Sequence, residues 1–202
     1  SAADAPLETW MKSSGELVTD ADIASDNAIA EALDAAGVPG SILSEESRSE
    51  RDGKGLTWLV DPLCGTVPFS TGMGHWGVNI GLRNGQALEL GVLTLPFMNE
   101  QLTSVQGKGV LRNGRPWSAS APGAALSDVA VSLDIDGGKD WERLLGGGLE
   151  WVPSVGQINS FSSSAYSMAQ ICLGRLAAGV YYRIGPMHLA AGAVIAQELG
   201  LH

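Results

Sequence analysis

The chain has 202 residues, of which 45% are apolar, and its 22 acidic and 12 basic side chains give a formal net charge of −10. The apolar share suffices for a buried core, so the composition excludes extensive disorder. An acidic chain with scattered basic residues would repel a phosphate backbone, so we expect no nucleic-acid partner. No apolar run approaches the roughly 20 residues of a membrane-spanning helix, and the first residues lack the pattern of an export signal, so we expect no membrane partner.

The two cysteines, Cys64 and Cys172, lie far apart and form no CxxC pair. This spacing indicates neither a disulfide scaffold nor a zinc ribbon, and we therefore expect a cytoplasmic location. The acidic excess allows two interpretations. Either it forms a solubilising surface, or some of the carboxylates converge on a cation that offsets their repulsion.

The first predicted element is a helix over residues 22–36. Its alanine-rich run carries Ile29 and Leu33 four positions apart, and Gly37 and Pro39 mark its end. Short runs of strand-forming residues follow, and Asn-Gly pairs typical of hairpin turns separate some of them. They predict strands over 57–61, 76–82, 87–95, 101–105 and 128–133. The pattern predicts an antiparallel meander in the middle of the chain.

Helices and strands alternate in the last third of the chain. The predicted elements there are a short helix ending near Gly146, a strand around 151–155, a helix over 164–179, a strand over 180–184 and a helix over 188–200. Helices that bracket a block of antiparallel strands indicate an α+β fold with its layers in one unit. We therefore expect a single domain over residues 1–202.

The strongest local motif is the run WLVDPLCGT at 58–66. An apolar strand delivers Asp61 at its end, Pro62 forces a turn, and Gly65 with Thr66 offers backbone N–H groups and a hydroxyl. This arrangement suits a cation held by the carboxylate beside an anion held by the backbone. The alternative is an ordinary strand-to-loop turn.

Other carboxylates accompany this motif. Glu45 and Glu46 follow an apolar stretch, and Asp20 and Asp22 precede the first helix. At this point the order of motifs resembles the inositol monophosphatase family of metal-dependent phosphatases. The matching segments are residues 12–22, 44–47, 58–69, 107–109 and 189–200. The resemblance covers nearly the whole chain and implies a layered α/β/α/β sandwich.

The resemblance also implies roles for individual residues. A first Mg²⁺ site would consist of Glu45, Asp61, the carbonyl of Leu63 and the hydroxyl of Thr66. Asp22 and Thr66 would act catalytically by positioning the attacking water. The phosphate would lie against the backbone of Cys64, Gly65 and Thr66. Arg183 lies near a position where a family glutamate commonly holds a sugar hydroxyl, so we include it among the substrate-binding candidates.

Two positions depart from the family pattern. Cys64 and His188 replace two carboxylates that bind a second cation in such enzymes. Because Mg²⁺ prefers oxygen ligands, a thiol and an imidazole argue against Mg²⁺ in that second site. Both side chains replace ligands of the same ion, so we expect them to lie close together. Residues 159–162 also replace a stretch that usually reads Arg-Ser-x-Gly.

Three hypotheses follow. The first is a phosphomonoester hydrolase of weakened or retuned activity that keeps one Mg²⁺ site. In the second, Cys64 and His188 serve a different reaction, as a nucleophile, as an acid–base pair, or with Asp61 as a site for zinc or another soft metal. The third is a catalytically inactive family member. The expected partners are a small-molecule substrate, phosphorylated in the first hypothesis, and a second copy of the chain in a homodimer.

Overall fold

The computed structural model of the protein describes residues 7–13, 17–49, 55–119, 125–135 and 138–202. The helices in these ranges are α1 (Asp20–Ala35), α2 (Thr66–Ser70), α3 (Gly138–Leu145), α4 (Ser164–Cys172) and α5 (Pro186–Glu198). The strands are β1 (Thr9–Met11), β2 (Leu17–Thr19), β3 (Ser41–Ser44), β4 (Arg48–Ser49), β5 (Leu56–Cys64), β6 (Gly77–Asn84), β7 (Ala87–Leu95), β8 (Glu100–Val105), β9 (Val110–Arg112), β10 (Arg115–Trp117), β11 (Ala130–Ile135), β12 (Gln157–Asn159) and β13 (Ala178–Tyr182). Within them, no helix is long and apolar enough to cross a membrane.

The main sheet has eight strands in the order β10-β9-β8-β7-β6-β5-β3-β4. The strands from β5 to β10 form the predicted antiparallel meander, and the two Asn-Gly pairs lie in its turns. β3 runs parallel to β5, with Ser44 opposite Val60. Both strands therefore deliver the residues that follow Ser44 and Val60 to the same edge of the sheet.

The predicted strand over 128–133 does not extend this meander. It forms β11, the middle strand of a separate parallel sheet with the order β12-β11-β13. The strand expected around 151–155 is also wrong, because Val152–Ser154 is a 3₁₀ turn and the strand begins at Gln157. Parallel pairing joins segments that are distant in sequence, so local alternation does not reveal it.

The helix predicted over 164–179 ends earlier, at Cys172. The chain leaves the helix at Gly174, whose φ of 73° is left-handed, and the next two residues bond back to the carbonyl of Gln170. This C-terminal turn closes the helix. Ala178 and Gly179, predicted as the end of the helix, are instead the first residues of β13 and pair with β11.

The helices and sheets form alternating layers. Ile29 and Leu33 of α1 pack against Trp58 and Val60 on one face of the main sheet. Helices α4 and α5 contact each other, α5 lies on the opposite face of the main sheet, and α4 also contacts β13 of the second sheet. The expected layered α/β/α/β sandwich is confirmed.

Candidate functional site

Asp61 lies at the centre of the candidate site. Its side chain is fully buried near the end of β5, and Oδ2 is 2.5 Å from Nδ1 of His188 in the first turn of α5. Oδ1 is buried and has no hydrogen-bond partner among the described residues. Glu45, which follows β3, brings Oε2 to 3.9 Å from the same His188 nitrogen. The predicted convergence of Glu45, Asp61 and His188 thus occurs at the edge where β3 and β5 end.

Lys12 is a residue of this site that the sequence interpretation did not assign. Its ammonium lies 3.0 Å from Oε1 of Glu45 and 2.5 Å from Oε1 of Glu46. Burial and the nearby charge of Asp61 raise the pKa of Glu45 to about 7, although Lys12 and His188 act in the opposite direction. Two carboxylates that repel each other in this way would be stabilised by a cation between them.

His188 supplies a positive charge directly at Asp61. Burial lowers the pKa of His188, but the hydrogen bond with Asp61, the interaction with Cys64 and the neighbouring charges outweigh burial and raise it to about 11. Burial and the charge of Asp61 raise the pKa of the Cys64 thiol, so the thiol stays neutral. The negative charge that pairs with His188 is therefore that of Asp61. At neutral pH the imidazole of His188 is therefore protonated and positive, and the thiol of Cys64 is protonated and neutral.

The α4 N-terminus surrounds Cys64. Its sulfur lies 3.3 Å from Oγ of Ser164 and accepts a hydrogen bond of 3.3 Å from the backbone N–H of Ala165. Ser163, the N-cap of α4, donates to the carbonyl oxygen of Cys64 at 2.7 Å. These contacts fix both the backbone and the thiol of Cys64 against the next layer.

Asp22 and Thr66 form a second part of the site. Thr66 donates from Oγ1 to Oδ1 of Asp22 at 3.0 Å, and its Oγ1 lies 3.5 Å from the carbonyl oxygen of Leu63. The other carboxylate oxygen of Asp22 accepts from the backbone N–H and the hydroxyl of Thr19 in a capping box. This box starts α1 at Asp20, two residues before the predicted start.

Gly65 joins β5 to α2 with a φ of 105°, a conformation that residues with a Cβ rarely adopt. A Cβ at Gly65 would lie 2.9 Å from the carbonyl oxygen of His75 and 2.9 Å from the Cβ of Ser163. The segment over 64–66 therefore passes close to the start of α4. The phosphate site expected at this backbone stays a prediction.

Arg183 follows β13 and is exposed, with a left-handed φ of 60°. Its position between β13 and α5 places it five residues before His188 (188 − 183). Ser162, where the family usually has glycine, also has a left-handed φ, of 54°. The backbone thus keeps a conformation that favours glycine even though the side chain has changed.

The ligand atoms of Asp61, Cys64 and His188 all lie within 4.8 Å of one another. The predicted proximity of Cys64 and His188 is therefore correct. Zinc accepts a carboxylate, a thiol and an imidazole, whereas Mg²⁺ prefers the carboxylate and does not prefer the thiol or the imidazole. Glu45 and the unpartnered Oδ1 of Asp61 instead offer hard oxygen ligands, so the residues for the first cation fit Mg²⁺.

Some residues that support the site were not predicted from the sequence. Asn79 on β6 donates to the carbonyl of Met187 and accepts from the N–H of Ala191 at 3.1 Å, so it fastens the first turn of α5. Lys12 begins the run 12–22 that matches the family, and this match was the signal that could have identified it. Asn79 and the serines at the start of α4 are single polar residues without a local pattern.

Comparison with known proteins agrees with this architecture. The model of the inositol monophosphatase family matches residues 3–201. Inositol monophosphatase 3 from Solanum lycopersicum is 31% identical over 157 residues, covering 71% of this chain and 55% of the relative. The Nus factor SuhB from Pasteurella multocida is 37% identical over 108 residues, covering 53% of this chain and 40% of the relative.

The fold is also found in solved structures. The extragenic suppressor protein suhB from Bartonella henselae superposes with a TM-score of 0.88 at 24% identity, over 96% of this chain and 75% of that one. The chain spans between 40% and 60% of the length of the first three curated relatives that it matches. The match of the family model over nearly the whole sequence shows that the chain belongs to the inositol monophosphatase family.

Proposed function

We propose that this protein is a Mg²⁺-assisted phosphomonoester hydrolase of weakened or retuned activity with a single Mg²⁺ site. The observation that carries the proposal is the buried Oδ1 of Asp61, which has no partner in the described part of the chain. Glu45 approaches the same His188 nitrogen as Asp61, and the charge of Asp61 acts on it. An unpaired buried carboxylate oxygen is costly unless a cation or a donor satisfies it. The family to which the chain belongs supports phosphatase-like chemistry.

The proposed Mg²⁺ ligands are Glu45, Asp61, the carbonyl of Leu63 and the hydroxyl of Thr66. When bound, the cation would polarise the phosphoryl oxygens and offset the negative charge that develops there. Thr66 Oγ1 donates its proton to Asp22 at 3.0 Å, so the lone pairs of Oγ1 are available to a cation and to a hydrogen bond from water. Asp22 and Thr66 would thus orient the attacking water.

The substrate would lie with its phosphate against the backbone of Cys64, Gly65 and Thr66. The close packing of this segment on α4 supports the assignment, because preorganised backbone donors stabilise developing charge without reorganising. Arg183 is a further candidate for substrate binding at the end of β13. The substrate class is a small phosphorylated molecule.

The weakened activity follows from His188 and Cys64. The protonated imidazole of His188 already pairs with Oδ2 of Asp61, where the family pattern would place a second cation between carboxylates. A thiol with a raised pKa offers no charge to a hard cation. Losing the second ion removes a stabiliser of the leaving oxygen, which slows phosphoryl transfer.

The experiment is a phosphate-release assay over a panel of phosphomonoesters, in Mg²⁺ and in a chelator. We expect slow release that requires Mg²⁺ and that falls at least about tenfold in Glu45→Gln, because the variant loses a charged ligand. Glu31→Gln, on an exposed position of α1, is the matched control and should be unchanged. Absence of release from the whole panel would refute the proposal.

The second candidate function is a different reaction that uses zinc or another soft metal bound by Asp61, Cys64 and His188. The ligand atoms of these residues lie within 4.8 Å of one another. The buried neutral thiol does not support a free nucleophile, but a soft metal would deprotonate it on binding. Binding of Co²⁺ as a substitute for zinc would then give a thiolate-to-cobalt charge-transfer band. Cys64→Ser should lose this band and Cys172→Ser should keep it.

The expected homodimer and cytoplasmic location stay predictions, which gel filtration and cell fractionation would test.

A further inference from the structure

A second buried polar cluster lies outside this site, between the three-stranded sheet and α4. It comprises Ser132 and Asp134 of β11, Tyr181 of β13 and Ser167 of α4. Ser132 and Asp134 are two positions apart on one strand, so their side chains point to the same face. Ser132 is fully buried and Asp134 is 2% exposed.

Two atoms of this cluster lack a hydrogen bond of normal geometry from any described residue, Oγ of Ser132 and Oδ2 of Asp134, and both are buried. Burial raises the pKa of the Tyr181 phenol, and the hydroxyl of Ser132 is nevertheless close enough to that phenol to act against the rise. Burial raises the pKa of Asp134, although the nearby hydroxyl of Ser167 and the backbone N–H groups of Phe161 and Ser162 act against the rise. Buried polar atoms are almost always satisfied by protein groups or by ordered water.

Tyr181 brings a third oxygen to the same place. Tyr181 lies opposite Asp134 in the pairing of β11 with β13. Its ring folds back over Gly179, where a Cβ would lie 2.7 Å from the phenolic oxygen. That oxygen is 3.1 Å from Oγ of Ser167, and Ser167 donates to the carbonyl of Ser164 at 3.2 Å. Glycine at 179 therefore allows the ring to reach the cluster.

The cluster connects to Cys64 through one turn. Oδ1 of Asp134 accepts a hydrogen bond of 3.3 Å from the backbone N–H of Phe161. The next residues lead through the left-handed Ser162 to Ser163 and Ser164, which contact the carbonyl and the sulfur of Cys64. Asp134 therefore holds the beginning of the segment whose end fixes the thiol.

We propose that Ser132, Asp134 and Tyr181 bind one buried water molecule, and that Asp134 is a positioning residue for the Cys64 thiol through residues 161–164. A single water can accept from Ser132 Oγ, donate to Oδ2 of Asp134 and donate its second proton to the phenolic oxygen of Tyr181. Three such bonds are typical of buried water. In that arrangement every oxygen of the cluster has a partner. The consequence for catalysis rests on the proposed function, whereas the placement of the thiol does not.

The positioning role is tested by alkylating the thiols of the folded protein at a fixed pH and quantifying each modified peptide by mass spectrometry. Asp134→Ala removes the acceptor for Phe161, and the opening that exposes Cys64 should become about 5- to 30-fold more frequent, as expected for one lost buried hydrogen bond. Asp134→Asn keeps an acceptor oxygen and should stay within about twofold of the parent rate, given the same reasoning.

Cys172 serves as the internal control. It is fully buried at the end of α4, whereas the turn over 161–164 precedes the start of that helix. A selective increase at Cys64 supports the positioning role. Equal increases at both cysteines would show general loosening of the fold and would overturn it, as would an unchanged Cys64 rate in Asp134→Ala. These readouts do not require phosphatase activity, so their failure is distinguishable from failure of the proposed function.

The water is tested by a high-resolution crystal structure. Density for one molecule within hydrogen-bond distance of Ser132 Oγ and Asp134 Oδ2 is expected, and it should be absent or displaced in Ser132→Ala, which removes one partner without adding bulk. A direct contact between the two side chains, without a water, would overturn this half of the proposal.

Discussion

Replacing His188 with alanine tests whether the protonated imidazole neutralises Asp61. In the folded protein, Asp61 is fully buried, its Oδ2 lies 2.5 Å from His188, and its Oδ1 has no described partner. Removing one partner of a fully buried ion pair commonly costs about 3–5 kcal/mol. Because the His188 side chain is 21% exposed, water screens part of the pair, and we expect a loss near the lower limit, about 3 kcal/mol.

The assay is urea unfolding of His188→Ala and of the parent protein in a chelator and in Mg²⁺. In the chelator, the variant should be less stable by about 3 kcal/mol. Mg²⁺ should restore more stability to the variant than to the parent, since the cation then takes over the neutralisation of Asp61 and binding stabilises the folded state by mass action. His202→Ala, at an exposed position, is the matched control. Equal stability of His188→Ala and the parent in the chelator would refute the reasoning.

The other predictions concern pH, the cation site and the packing of α5. The pKa of His188 rises on folding from 6.5 to about 11, so its contribution to stability should be complete below pH 6.5 and should disappear as the pH rises towards 11; a constant difference between the parent and His188→Ala across this range would contradict it. Lys12→Met should tighten Mg²⁺ binding about fivefold by calorimetry, because the ammonium 3.0 Å from Glu45 repels the cation; unchanged or weaker binding would contradict it. Gly81→Ala should lower the free energy of unfolding by about 1–3 kcal/mol in the urea assay, because the new Cβ would lie 2.6 Å from that of Ala190; an unchanged midpoint would contradict it.

Much of the main sheet could be predicted from the sequence because its information is local. Strand-forming runs separated by Asn-Gly pairs specify hairpins between neighbours, and the meander from β5 to β10 follows them. The second sheet could not be predicted in the same way. Its strands β11 and β13 pair in parallel although helices separate them in the sequence, so the residues of β11 do not indicate which strands they pair with. The predicted end of α4 at Gly179 was wrong, because Leu176 continues the apolar face and the periodicity does not reveal the turn at Gly174.

The site was predictable to the extent that its residues belong to family motifs. The convergence of Glu45, Asp61 and His188 followed from the resemblance and not from any spacing within the chain. Lys12 was not predicted although it begins the matching run 12–22, because a lysine 33 residues from its partner has no local pattern that shows the contact. Asp134 was not predicted for a similar reason, since its role depends on how the second sheet packs against α4.

The replaced ligands change the charge of the site in one direction. Exchanging two carboxylates for a thiol and an imidazole removes one negative charge at Cys64 and another at His188. Protonated His188 adds a positive charge, so the difference is three units. The chain thus supplies at Asp61 a cation of its own in place of one that the family pattern takes from solution. What remains acidic is Glu45 with one oxygen of Asp61, and Lys12 offsets part of that charge. This charge balance supports our proposal that the site takes one external cation, a single Mg²⁺, instead of two.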